Sequence, residues 1–185
     1  MPTKPTAGPS HETKTIVRHW HAAVPNDRLA HLVRDASRAF VRALSPRLAE
    51  HGIPFGHWTF LRILWEHDGI TQRELSAEAG VMEPTTHVAL NAMEARGYIL
   101  RKRRPANRRN VYVHLTPRGR ALKAKLVPLA EDVNAVGVEG LPSADVATLR
   151  RTLIAIIDNL ARDEALAQPA AAAENGARAK RTCAR

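Results

Sequence analysis

The second half of the chain carries a dense run of positive charge. Between Glu94 and Glu131 there are eleven Lys or Arg residues and no acidic residue. Guanidinium and ammonium groups at this density are suited to bind phosphates, on a nucleic acid or on an anionic membrane surface. The 185-residue chain as a whole has a formal net charge of +10, which also favours a polyanionic partner. Charge alone therefore leaves the choice between these polyanions open.

The arrangement of the basic residues in a predicted β-hairpin favours a nucleic acid. Alternating residues predict strands over 98–103 and 110–115, which bracket a loop over 104–109. We expect Arg108 and Arg109 at the tip to enter a narrow minor groove, where A·T-rich sequence concentrates negative potential. The remaining basic residues are expected to follow phosphates and fix register; they are Arg101, Lys102, Arg103 and Arg104.

Two short helices joined by a tight turn are predicted directly before this hairpin. The segment Thr71-Gln72-Arg73-Glu74 has the form of a capping box, and the helix that it opens ends at Gly80. Glu83-Pro84 then starts a second helix, which ends at Gly97. Two short helices around a tight turn are the helix-turn-helix pattern.

The outward face of the second helix carries side chains that can read bases. Its inward residues are predicted to be Thr86, Leu90 and Met93, which leaves an outward set of Thr85, His87, Val88 and Asn91. Asn can pair bidentately with adenine, and the methyl groups of Thr and Val can contact the thymine methyl. In isolation this face is equally compatible with a solvated surface, but the basic hairpin beside it favours contact with DNA.

Longer helices are predicted on both sides of this region. Apolar residues spaced by three and four from Leu29 to Leu48 predict an amphipathic helix, and a further helix covers 57–67. Thr116-Pro117 begins another helix, and a seam from Val146 to Leu160 repeats as in a coiled coil. The first stripe and the seam both need a partner to bury them. We therefore predict a mainly α fold with a small β-hairpin wing.

The predicted organisation has four parts. Residues 1–26 form a flexible N-terminal arm, and 55–116 form a winged helix-turn-helix lobe. Residues 27–54 and 117–163 form a helical dimerisation region, and 164–185 form a disordered Ala-rich tail.

On these motifs the sequence resembles the MarR family of winged-helix transcriptional regulators. The resemblance extends over about 29–160 and rests on segments 58–64, 71–76, 93–99 and above all 107–119. In the last segment the family's wing usually reads Asp-x-Arg, then alternating apolar residues, then Leu-Thr-x-x-Gly. By that match Arg109 takes the place of the family's wing-tip arginine. Asn107 stands where the family usually has the Asp that helps to orient wing arginines.

The resemblance implies a homodimer whose N- and C-terminal helices interlock. Two-fold symmetry then predicts a pseudo-palindromic operator with half-sites about one helical turn apart. Such dimers are usually repressors that occlude a promoter.

The resemblance also implies a small-molecule effector. Family members often bind small aromatic acids in a crevice between the dimer helices and the DNA-binding lobe, where an Arg pairs with the carboxylate and a Trp stacks on the ring. The candidate ligand-binding residues are Trp20, Arg34, Arg38, His51, His57, Trp58 and Arg62. These residues are also compatible with having no role in ligand binding. Trp58 would then be a core residue, and the histidines would be surface or hydrogen-bonded groups. Within the family, the chain most resembles repressors of nicotinate-type heteroaromatic acid catabolism.

Other classes of function lack the residues that they need. There is no Gly-rich phosphate loop, nucleophile elbow or carboxylate pair for an enzyme, and no cofactor is expected. The nine histidines include His19 and His21, two residues apart, but show no recognised metal-ligand spacing, so no metal site is expected. Cys183 is the single cysteine and lies in the tail, which argues against thiol sensing.

No apolar run approaches the roughly 20 residues that span a bilayer, and the N-terminus does not have the pattern of a signal peptide. We therefore predict a cytoplasmic protein without a membrane partner. The serious alternative to a regulator is an architectural or non-specific DNA-binding protein without an effector, because charge alone supports it. Such a protein should bind with little regard to sequence and be released by salt.

Overall fold

The computed structural model describes residues 11–22, 28–104 and 107–182. Their elements are α1 (His11–Ala22), α2 (Leu29–Ala49), α3 (Phe55–Glu66), α4 (Gln72–Ala79), α5 (Glu83–Ala95), β1 (Ile99–Arg104), β2 (Asn107–Leu115), α6 (Pro117–Ala121), α7 (Lys123–Gly137) and α8 (Ser143–Thr182). The predicted mainly α fold with one β-hairpin is confirmed for these residues. The chain divides into two compact units, Met1–Gly137 and Val138–Arg185, so the region 117–163 is split between them.

The core of the first unit is built around α3, the helix predicted over 57–67. Leu61 and Leu64 are completely buried, because apolar residues on nearly every side of this short helix meet a neighbouring element. Leu48 at the end of α2, Leu75 of α4 and Leu90 of α5 close the core around them, each also fully buried. The helix-turn-helix is thus held by burial against α3 as well as by its own turn.

The local signals of the helix-turn-helix are present as predicted. The Thr71 hydroxyl accepts from the Glu74 amide at 3.2 Å, and the Glu74 carboxylate accepts from the Thr71 amide at 2.7 Å. Gly80 ends α4 at φ +64°, a left-handed conformation that suits a residue without Cβ. Between the two helices the Ser76 hydroxyl donates to the Thr86 hydroxyl at 2.8 Å, and both residues are buried.

The hairpin is antiparallel and is extended by the segment before α4. Its register pairs Ile99 with Leu115 and Arg101 with Val113. The Val113 amide donates to the Ile70 carbonyl at 2.9 Å, which ties the wing to the start of the helix-turn-helix. The wing is therefore anchored at its base on two sides.

The Leu-Thr-x-x-Gly segment closes the base of the hairpin. The Thr116 hydroxyl caps α6 by accepting from the Gly119 amide at 3.0 Å and donates to the Gly97 carbonyl at 2.7 Å. A Cβ at Gly119 would lie 2.0 Å from the Tyr98 carbonyl oxygen, which no side chain can accept. The Gly119 carbonyl in turn accepts from the Trp65 indole at 3.0 Å. Only glycine allows this close approach of α6 to β1.

Three segments differ from the sequence-based expectations. Residues 11–22, expected to belong to a flexible arm, form α1, because Ile16 and Trp20 lie one turn apart on one side of a helix. The tail, expected to be disordered from residue 164, continues α8 to Thr182, in keeping with the high helix propensity of its alanines. The break expected at Pro128 falls instead at Leu122, between α6 and α7. The rest of the predicted arm, 1–10 and 23–26, lies outside the described residues.

The second unit is dominated by α8. From Ser143 to Ala165 none of its side chains is buried. Ile157 and Leu160 are about two-thirds exposed, and Leu149 is half-exposed. Of the predicted seam, Leu149 and Leu160 are exposed and Val146, Leu153 and Ile156 are half-buried, so this chain buries none of it completely.

Candidate nucleic-acid interface

A concave polar groove of about 670 Å³ lies between the helix-turn-helix and the wing. The start of α4 contributes Gln72 and Arg73 to its wall, and α5 contributes His87. The wing contributes Arg101, Lys102 and Arg103. A recognition helix flanked by basic side chains from two other elements is the arrangement that lets a helix enter a major groove while its neighbours bind phosphates.

The predicted orientation of α5 is confirmed. Its inward residues Thr86, Leu90 and Met93 are completely buried. The outward residues are exposed; they are Thr85, His87, Val88 and Asn91. Val88 is 69% exposed, so its methyl groups are accessible to an apolar contact such as a thymine methyl.

Arg101 lies at the junction of the wing and the recognition helix. Its guanidinium donates to the Glu94 carboxylate from Nε at 3.0 Å and from Nη2 at 2.6 Å, and its backbone amide donates to the same carboxylate at 3.0 Å. The side chain is 19% exposed. Arg101 was expected to follow phosphates, but the structure shows it held by α5. The cause is strand alternation, because Arg101 shares a face with buried Ile99 and pairs across the ladder with buried Val113.

The Arg101–Glu94 pair has an electrostatic signature. The hydrogen bond from the Arg101 side chain holds the pKa of Glu94 below its ordinary value of 4.5, although partial burial opposes this. The pair's contribution to stability is therefore complete above pH 4.5 and is lost as the pH falls through the lowered pKa. Because the Glu94 side chain is 38% exposed, solvent screening keeps this contribution small.

The other basic wing residues remain available to a ligand. Lys102 and Arg103 are exposed, and neither makes an ion pair within the described part of the chain. Arg104, Arg108 and Arg109 belong to the strands near the tip, but their side chains lie outside the described residues, as do residues 105–106. Their roles in DNA binding stay predictions.

Several residues that line the groove were missed by the sequence interpretation, among them two polar side chains of α4. Gln72 and Arg73 lie in the first turn of α4, and Arg73 is 89% exposed at 4.0 Å from the Glu83 carboxylate. The capping box at Thr71 could have identified them, because it fixes where α4 begins and therefore places Gln72 and Arg73 in its first turn. In the sequence interpretation the capping box was used only to predict the start of the helix.

The candidate ligand residues on the N-terminal helices surround an internal carboxylate. The Trp20 indole donates to Asp35 Oδ2 at 3.1 Å, and Arg34 donates to Asp35 Oδ1 at 3.3 Å. The Trp20 hydrogen bond is the largest cause that lowers the pKa of Asp35, with further contributions from the charges of Arg34 and Arg38. Trp20 and the neighbouring arginines were expected to bind the carboxylate of a ligand. In this structure they act on the carboxylate of Asp35 instead. Beside them, a groove of about 330 Å³ between α1 and α2 is mostly apolar.

The candidates near α3 are not on one surface. Trp58 is buried in the core and packs edge-to-face on Trp65, with ring centroids 5.7 Å apart, so it forms part of the core instead of an open wall for stacking. His57 is also buried, and its Nδ1 has no hydrogen-bond partner among the described residues. Burial and the charge of Arg96 lower the pKa of His57. His51 and Arg62 are exposed. The structure does not bring these four residues together with Trp20 and Arg38 in one described groove.

Within the described ranges, no three His, Cys, Asp or Glu side chains come together as metal ligands would. No helix in this part of the chain is both long and apolar enough to cross a membrane.

A winged helix-turn-helix with a basic wing and an exposed recognition helix defines a DNA-binding protein. The MarR family profile matches residues 55–111, the lobe that carries the groove. The chain is 33% identical to the HTH-type transcriptional regulator TtmR of Methylorubrum extorquens over 141 residues, which cover 75% of this chain and 68% of TtmR. The chain belongs to the MarR family and is a DNA-binding transcriptional regulator. Its relatives are regulators and not enzymes, as the sequence predicted.

Solved structures show the same fold at lower identity. A putative MarR family regulator from Listeria monocytogenes, complexed with a 26mer DNA, has a TM-score of 0.67 and 24% identity, and the match covers 73% of this chain and 90% of that one. BpsR of Bordetella bronchiseptica, whose DNA binding is regulated by 6-hydroxynicotinic acid, has a TM-score of 0.65 and 24% identity over 70% of this chain and 98% of BpsR.

Proposed function

We propose that this protein is a homodimeric repressor that binds a pseudo-palindromic operator and is released by a small aromatic or heteroaromatic acid. The observation that carries the DNA-binding part is the groove between α5 and the wing. It is lined by His87 together with Lys102 and Arg103, and Val88 is the exposed neighbour of His87 on α5. In this proposal the residues of α5 read bases and the neighbouring wing cations bind phosphates, the combination that sequence-specific binding requires.

The exposed apolar stripes support the dimer. In α2, Leu29, Leu32 and Phe40 are each at least 40% exposed, and α8 leaves Ile157 and Leu160 about two-thirds exposed. Contiguous apolar surface of this kind is rare on monomers and common at subunit interfaces. A two-fold dimer built on these helices presents two recognition helices, and this geometry matches a palindrome.

The effector has support from the likeness to BpsR and from the mixture of aromatic and basic side chains on α1 and α2. Trp20 and Arg38 are the site residues that we favour, since Trp20 lines the groove of about 330 Å³ with Asp35 and the charge of Arg38 acts on the same carboxylate. In this proposal an aromatic acid competes with Asp35 for the indole N–H and the arginines. His51, His57, Trp58 and Arg62 join this site only if the second subunit or a rearrangement brings them to it.

The test is a competition gel shift of the full-length protein on its own upstream intergenic DNA against random DNA. We expect preference for the upstream DNA, relieved by one member of a panel of benzoate, salicylate, nicotinate and hydroxylated nicotinates. Trp20→Phe removes the indole N–H and should weaken the response to the acid without changing DNA affinity. Trp65→Phe is the control, because Trp65 packs on Trp58 and donates to Gly119, away from the groove between α1 and α2.

The same gel shift measures the wing tip. Arg109→Ala should weaken operator binding by about 1–3 kcal/mol if this side chain contacts bases. A loss of a few tenths would remove Arg109 from the reading contacts. Equal, salt-sensitive binding to both DNAs with no response to any acid would instead favour the architectural alternative, in which binding depends only on phosphates.

A further inference from the structure

Asn91 takes part in the cluster that joins the wing to the recognition helix. Arg101 Nη2 donates to Asn91 Oδ1 at 2.7 Å, in addition to its bonds to Glu94. Asn91 and Glu94 are three residues apart on α5, so one guanidinium reaches both. Both acceptors belong to the recognition helix and the donor belongs to the wing.

The chemistry of the cluster fixes the orientation of the Asn91 carboxamide. A guanidinium has donors and no acceptor, so the Asn91 atom that faces Arg101 must be the oxygen. One of the two lone pairs of the Asn91 oxygen is taken by the cationic Arg101, which disfavours a second donor there, so the group that exposed Asn91 offers most freely to a ligand is its NH₂, a donor. His87, one turn earlier on α5, lines the groove, which places Asn91 on the same side of the helix.

We propose that Arg101 is a positioning residue that sets base preference: by engaging Asn91 Oδ1 it makes Asn91 a hydrogen-bond donor, which reads guanine and not adenine. This inference rests on the proposed sequence-specific function of the same groove. It changes the expectation from sequence, where a free Asn pairs with adenine and Arg101 follows phosphates.

The major-groove edges of the bases supply the discrimination. Adenine offers N7 as an acceptor and N6 as a donor, so a bidentate pair needs both ends of a carboxamide. Guanine offers two neighbouring acceptors, N7 and O6, which match an NH₂ group alone. Cytosine offers only a donor at N4, which the NH₂ group cannot pair with. Thymine offers one acceptor, O4, beside its methyl group, so guanine is the base whose two neighbouring acceptors best match the Asn91 NH₂ group.

The experiment is selection from a randomised double-stranded DNA library with the full-length protein and its variants, followed by sequencing. The wild-type protein should enrich a palindrome with guanine favoured over adenine by about tenfold at one position of each half-site. Asn91→Ala should lose the preference at that position only. Arg101→Met releases the Asn91 oxygen and should change the preference there from guanine to adenine.

Two controls separate positioning from charge and from stability. Arg103→Met removes an exposed cation of the same groove and should lower affinity for all sequences without changing any base preference. Arg101→Lys keeps the charge but replaces the planar fork by a single ammonium group, which cannot hold both partners in one plane. It should weaken the guanine preference, and it serves if Arg101→Met does not fold, as judged by circular dichroism.

Each result has a definite meaning. If Arg101→Met and Arg101→Lys both keep the wild-type preferences, Arg101 does not set base choice and the inference is wrong, while the proposed function stands. The inference also fails if the wild-type protein enriches adenine at the position that Asn91→Ala affects. If the wild-type protein enriches no sequence at all, both the inference and the proposed sequence-specific regulator are overturned.

Discussion

The DNA-binding lobe and the terminal helices of this chain differ in how far they bury their apolar side chains. In the lobe, Leu61, Leu75 and Leu90 are completely buried by other elements of the same chain. In α8, Leu149 and Leu160 repeat just as regularly but remain at least half-exposed. The same pattern of leucines thus gives a finished core in one region and an open surface in the other. An apolar stripe predicts burial, but only the fold shows whether the chain itself provides the partner.

The largest expected effect concerns the open surface. Truncation after Gly140 removes α8 and should convert the dimer that we propose into a monomer, because the exposed stripe from Val146 to Leu160 is lost. Sedimentation velocity gives the mass, and circular dichroism gives the fold of the remainder. A truncated protein that still sediments as a stable dimer would place the interface elsewhere.

A pair of point variants tests the same surface. Leu153→Glu should also dissociate the dimer, whereas Thr152→Glu, which changes the exposed neighbouring residue, should not.

A matched pair of leucine truncations measures the contrast directly. Leu61→Ala opens a cavity in the closed core and should lower the free energy of unfolding by about 3 kcal/mol at any protein concentration. Leu160→Ala removes a side chain that is 65% exposed in the single chain. If α8 is covered by a second subunit, its cost should appear as weaker association, with little change in the stability of the monomer. Urea unfolding at several protein concentrations separates the two effects, and equal, concentration-independent losses would contradict the contrast.

Inside the lobe, the buried hydroxyl pair tests how the two helices of the helix-turn-helix are joined. Thr86→Val leaves the buried Ser76 hydroxyl without its acceptor and should cost about 1–2 kcal/mol. Ser76→Ala should cost less, because the Thr86 hydroxyl can still donate to the Met82 carbonyl. The double variant should lose less than the sum of the two single losses. Additive losses in thermal or urea unfolding would show that the pair is not coupled.

The smallest effect is a pH dependence from His57. Burial lowers its pKa below the ordinary 6.5. Below pH 6.5 the unfolded chain therefore binds a proton at His57 more readily than the folded chain does. The stability associated with neutral His57 is complete above pH 6.5 and falls as the pH drops from 6.5 towards the lowered pKa. His57→Gln should therefore flatten the plot of the free energy of unfolding against pH in this window. His51→Gln replaces an exposed histidine of the same region and should leave the slope unchanged; an equal flattening would assign the slope to something other than burial.

Much of the DNA-binding lobe could be predicted because its signals are local. A capping box needs residues three apart, and a left-handed Gly80 follows directly after its helix. The inward side of α5 follows from the spacing of Thr86, Leu90 and Met93, which the structure buries completely. Helix and strand periods fix which side chains share a face, so the exposed outward residues of α5 could be named before the fold was known.

The elements of this protein, their faces and the concentration of positive charge around the wing can all be read from the order of its residues. Only the tertiary structure decided how particular charges are used. Arg101 appears in the sequence as one more wing cation, yet it binds Glu94 and Asn91, seven and ten residues away. Trp20 similarly finds Asp35 across two helices, fifteen residues away. Periodicity records which way a side chain faces along its own element. The partner that it meets there depends on the packing of a second element, which no local pattern encodes.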